Sequence, residues 1–118
     1  VKDVTNDVEQ SFFEGLVRRD PNFVDALMPL AELYTKKGLH EKGLEVDERL
    51  SKLRPQDPVV HYNLACSFAL CGKKEEAFRA LERAIELGYD DFEHLKKDTD
   101  LKSLRGDPRF KSLLLTKK

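Results

Sequence analysis

The feature that most constrains this chain is a self-similarity at a spacing of 34 residues. Leu30, Ala31, Tyr34, Gly38 and Leu53 recur as Leu64, Ala65, Phe68, Gly72 and Leu87, and Pro21 and Pro55 stand in the same phase. Within residues 57–88 two apolar stripes at helical spacing flank Gly72. Leu64, Ala65 and Phe68 form the first, and Ala77, Leu81, Ala84, Ile85 and Leu87 form the second. A helix pair this short cannot bury both stripes by itself, so it must stack on neighbours of its own kind.

That period and those residue types resemble the tetratricopeptide repeat, a helix–turn–helix unit that stacks into a solenoid. The resemblance implies an all-α fold, an α-solenoid of stacked antiparallel helix pairs wound into a right-handed superhelix. Complete repeats fall at 24–57 and 58–91 of a single domain covering residues 1–118. A half-unit helix at 5–19 precedes them and a C-terminal cap at 92–118 follows.

Residues 5–19 read as a helix with Thr5, Asn6 or Asp7 as its cap and Val8, Phe12, Phe13, Leu16 and Val17 as its stripe. Asp20-Pro21 ends it. In repeat phase this is a second helix whose own first helix is missing or divergent. The next helix is expected over 22–37, capped by Asn22 and ended by Gly38, where a left-handed residue favours glycine. Pro29 requires either a later start or a kink in its first turns. The partner helix, 41–53, departs from the family pattern. Gly43 replaces a small alanine, and Asp47 stands where a large apolar residue is usual. Those departures predict a looser, more exposed helix. Helices at 58–71 and 74–87 follow.

After Gly88 the period stops. Turn signals at 98–100 and 106–108 divide the segment into a short helix near 91–97, a single turn near 100–105 and a last helix near 108–115. Its course resembles the irregular tail that follows the last repeat in many bacterial-type members of the family. An open solenoid end needs such a cover.

Charged residues make up 36% of the chain, yet the net charge is only −1. Balanced charge at this density reads as solvated helix faces and argues against a nucleic-acid partner. No stretch has the length of a membrane span, so no membrane partner is expected. The chain begins at Val1 rather than a methionine and reads as a trimmed or excised piece. Cytoplasm is the default compartment.

By the resemblance, the first helices line a concave groove, the family's usual binding surface. Carried over by position, the groove residues are Asp25, Met28, Glu32, Thr35 and Lys36 in the first repeat. In the second they are Val59, Tyr62, Asn63, Cys66, Ala69 and Leu70. The first set is polar and mixed in charge; the second is apolar with a tyrosine and an asparagine. A peptide with an apolar anchor and a flanking charge matches that pairing. The competing reading has the C-terminal segment fold back over Val59, Ala69 and Leu70, because an exposed apolar stripe is a liability. The family's chaperone-tail clamp does not fit. Asn63 matches one clamp position, but Met28, Glu32, Glu93 and Lys97 fall at others, and the two acids repel a terminal carboxylate.

No enzyme is expected. His40, His61 and His94 share no spacing, and there is no phosphate loop, zinc-protease motif or nucleophile elbow. Asp98, Asp100, Arg105 and Asp107 have no nucleophile or metal spacing behind them. Cys66 and Cys71 lie five apart on one helix and should not pair; Cys71 reads as a small buried hydrophobe. No cation stands one turn from Cys66 to activate it. No metal and no cofactor is predicted. The sequence thus points to a scaffold or adaptor that binds a peptide or helix of a protein partner. The alternative is a homo-oligomerising module that stacks through the helix at 5–19 or the apolar part of the groove.

Overall fold

The structure, a computed structural model, describes residues 4–115, with side chains from Val8 onward. The caps expected at Thr5, Asn6 or Asp7 lie outside the described side chains. Seven α-helices and one 3₁₀ helix follow in order: α1 (Val4–Arg19), α2 (Val24–Lys36), α3 (His40–Leu53), α4 (Pro58–Leu70), α5 (Lys74–Glu86), α6 (Phe92–Lys97), the 3₁₀ helix (Thr99–Leu104) and α7 (Pro108–Leu115). No strand occurs among the described residues. Neighbouring helices pack in sequence, α1 on α2, α2 on α3, α3 on α4 and α4 on α5. The result is a helical-repeat solenoid whose end is closed by α6, the 3₁₀ helix and α7.

The repeat is legible in how each unit turns. Gly38, Gly72 and Gly88 have φ of 78°, 76° and 112°, the left-handed backbone that costs a side-chain-bearing residue its Cβ clash. Each lets the following N–H reach back to a carbonyl of the last helical turn. Leu39 donates to Tyr34, Lys73 to Phe68 and Tyr89 to Ala84, at 2.8–2.9 Å. These are Schellman-type closures that satisfy carbonyls left open at a helix end. At the other ends, Asp57 accepts from the N–H groups of Val59 and Val60, with Pro58 at the first position of α4.

Two expectations about α2 need correction. The helix starts at Val24, later than 22, and Asn22 does not cap it. The residue before the helix is Phe23, and the Asn22 N–H instead donates to Asp20 Oδ1 at 3.1 Å. With Phe23 at the cap position, Asn22 stands one residue too early, and the Phe23 carbonyl accepts from the N–H groups of Ala26 and Leu27. Pro29 lies inside α2, which continues to Lys36.

The looser α3 predicted from Gly43 and Asp47 is also corrected. Both residues are buried, Asp47 only 4% exposed. At position 43 a Cβ would sit 3.4 Å from Thr35 Oγ1 and 3.6 Å from Tyr34 Cβ, so α2 and α3 are already close. Cys71 is half-buried rather than buried.

One large apolar cluster runs from Leu44 through α4 and α5 into Phe92, Leu95, Leu101, Leu104, Phe110 and Leu113. The cap therefore shares the core of the second repeat. A smaller cluster of Leu27, Leu50 and Val60 joins α2, α3 and α4, with Val17 of α1 against it. At the opposite end, α1 is tied to α2 by the Tyr34 hydroxyl, which donates to Glu14 at 2.5 Å. Val8 and Phe12 stay 62% and 61% exposed.

Candidate functional site

Between α2 and α4 lies a groove of about 710 Å³. Met28, Glu32, Thr35 and Lys36 line the α2 wall, and Tyr62, Asn63, Cys66 and Ser67 the α4 wall. Asp47 and Leu50 of α3 lie between them, and His94, Asp98 and Asp100 of the cap complete the lining. The helical spacing explains the two walls. Residues 28, 32, 35 and 36 share one face of α2, and residues 62, 63, 66 and 67 share one face of α4.

Seven of the residues carried over by position are brought together here: Met28, Glu32, Thr35, Lys36, Tyr62, Asn63 and Cys66. Asp25, Val59, Ala69 and Leu70 are not part of the lining. Val59 is 47% exposed at the start of α4, whereas Ala69 is buried in the large cluster. The Ser103 hydroxyl of the 3₁₀ helix donates to the Ala69 carbonyl at 3.5 Å. The cap thus covers the C-terminal part of α4.

Tyr62 holds that cover. Its ring stacks on Tyr89 at 4.3 Å, and its hydroxyl donates to Asp98 Oδ2 at 2.6 Å. The same oxygen lies 3.2 Å from His94 Nε2 and 3.6 Å from Cys66 Sγ. Asp98 Oδ1 accepts the Asp100 N–H, which starts the 3₁₀ helix, and Arg105 donates to the Asp98 carbonyl at 2.7 Å. Burial pushes the Tyr62 hydroxyl far above its usual range, with the nearby Cys66 and Asp98 adding to it. It remains a donor at any physiological pH.

Cys66, Asp98 and Asp100 bring a sulfur and two carboxylate oxygens within 4.8 Å of one another. Sequence spacing could not reveal this trio, since it joins residues 32 and 34 positions apart across the fold. Such donors can hold a cation once the sulfur is a thiolate. Here burial, then the charges of Asp98 and Asp100, push the Cys66 thiol far up, and it donates to Asp98. A thiol held protonated is also a poor nucleophile.

The residue that sequence reasoning misplaced is Asp47. The Ser67 hydroxyl donates to Asp47 Oδ2 at 2.5 Å. Burial raises the carboxyl from 3.8 to about 6, and the serine bond only partly opposes this. The positions equivalent to Asp47 in the other two units hold Phe13 and Leu81, and those equivalent to Ser67 include Leu33. The signal was present as a break in the repeat, but its partner was not.

The fold and groove define a helical-repeat protein with tetratricopeptide-like repeats. No family model matches the chain. Over 84 residues it is 36% identical to a chloroplastic protein of Arabidopsis thaliana, covering 69% of this chain and 25% of that protein. It is 35% identical over 77 residues to the peroxisomal targeting signal receptor of Candida albicans, covering 65% of this chain and 13% of the receptor. With the receptor of Pichia angusta it shares 31% over 98 residues, 83% of this chain and 17% of the receptor. The chain spans a quarter or less of these curated relatives. Among the described residues no helix is long and apolar enough to cross a membrane.

Proposed function

We propose that this chain is a binding scaffold that seats an extended peptide or a helix of a protein partner in the groove between α2 and α4. The observation that carries the reading is the groove itself. It places exposed Met28, Glu32 and Asn63 on facing walls, while the cap closes only the far end of α4. The relatives support it, since two of them are receptors of a targeting signal. None of these relatives is named for a catalytic activity, and an adaptor without enzymatic function, working in the cytoplasm, belongs to the same proposal. Residues 1–118 act as one domain in it.

A second reading rests on one observation. Val8 and Phe12 are largely exposed on α1, and a second copy could stack there. Light scattering across a wide concentration range separates the two. A constant mass near 13.6 kDa is expected, and a concentration-dependent dimer would favour stacking. The groove reading is tested by Met28→Ala with Asn63→Ala in pull-downs from a displayed peptide library. Both side chains are exposed, so the fold should survive while capture falls. Unchanged capture would overturn the reading. Tyr62 is unsuitable for this test because its ring is part of the core.

A further inference from the structure

We infer that the groove selects a peptide whose anchoring residue carries a positive charge, a lysine or arginine side chain, seated against Asp47 at the groove floor. This deepens the scaffold reading and rests on it. Three observations carry it.

Asp47 is out of place as a structural residue. It is a nearly buried acid on the inner face of α3, where the other units have Phe13 and Leu81. Its carboxylate has a single hydrogen-bond partner among the described residues, the Ser67 hydroxyl. A buried carboxylate with one neutral partner destabilises a fold relative to an apolar side chain of similar size. Positions that break a local rule at a cost in stability are expected at functional sites.

The second observation is location. Asp47 and Ser67 both border the groove rather than a sealed interior, so a long side chain entering between α2 and α4 reaches them. The third is charge. The lining carries Glu32, Asp98 and Asp100 besides Asp47, against Lys36, while His94 is already turned onto Asp98. An acidic concavity attracts a cation and repels an acidic peptide. A guanidinium or ammonium on Asp47 would supply the charge-assisted partner that the serine cannot.

The test is a selection of random octapeptides displayed on phage against the wild-type chain and Asp47→Asn. Chosen peptides are then titrated by fluorescence polarisation. Asp47→Asn keeps shape and polarity and removes the charge; a melting curve confirms that it folds. The expected result is a lysine or arginine at one fixed position of the selected peptides. Replacing it by norleucine should weaken wild-type binding about tenfold, and have little effect on Asp47→Asn. Selected peptides without a fixed cation, bound equally by both chains, would overturn the inference and leave the groove reading standing. Peptides that bind Met28→Ala with Asn63→Ala as well as wild type would overturn both.

Discussion

At the residue scale the molecule turns on one substitution within its own repeat. Where the other units carry the hydrocarbon side chains of Phe13 and Leu81, Asp47 places a nearly buried carboxylate. The consequence for stability is a matter of sign. The folded carboxyl titrates near 6, above its ordinary 3.8. The folded state therefore binds the proton more tightly than the unfolded chain does. This stabilising contribution is fully present below about 3.8 and is lost as pH rises through about 6. Its full size is about 3 kcal/mol. Asp107 works the other way but in another window. Hydrogen bonds from the Arg109 side chain and backbone hold it near 2, so its contribution is lost only as pH falls below its ordinary 3.8. Urea midpoints measured from pH ~7 down to ~4.5 should rise for the wild-type chain. They should change far less for Asp47→Leu, which is also expected to be the more stable chain at pH ~7. Parallel profiles for the two would show that Asp47 is ordinarily ionised in the fold.

At the scale of elements, the repeat is what the sequence displays most openly. Leu30 and Leu64, Gly38 and Gly72 and the prolines between units predict helix, turn and junction, because each follows from local backbone chemistry. The same logic predicts the strength of the α2–α3 contact. Gly43 lies inside α3 with helical backbone, and an added Cβ meets Thr35 and Tyr34 at ordinary contact distance. Gly43→Ala should therefore stabilise the chain by about 0.5–1 kcal/mol, read from the urea midpoint. A loss instead would mean that α2 and α3 have no room to accept a methyl group. What stayed hidden was the pairing of Asp47 with Ser67, twenty residues away on the next unit. The docking of Asp98 on Tyr62, thirty-six residues away, stayed hidden too. Neither distance is a multiple that the repeat announces. The cap has lost the period, so its position could be expected only as a cover and not as a latch.

At the scale of the whole molecule, the two ends are unlike. The C-terminal cap is fused to the second repeat through Leu95, Leu101 and Leu104, each fully buried, and it covers the end of α4 at Ala69 while Val59 stays exposed. The N-terminal helix α1 leaves Val8 and Phe12 in solvent. Between the ends, the groove keeps seven of the eleven residues expected by position, and adds the acids of α3 and the cap. Of the five α2 positions that the family resemblance supplied, Met28, Glu32, Thr35 and Lys36 line the groove and Asp25 does not. At the end of α4 the sequence left two readings open, an open stripe or a covered one, because the segment that supplies the cover carries no repeat. A scaffold of the proposed kind has one working surface, inside a single chain. Its most direct test is an amide chemical-shift map recorded while a selected peptide is added to the isotope-labelled protein. Saturable shifts are predicted at Met28, Glu32, Thr35, Asn63 and Asp47, with α1 unmoved. Shifts confined to residues around Val8 and Phe12 would contradict the groove as the working surface.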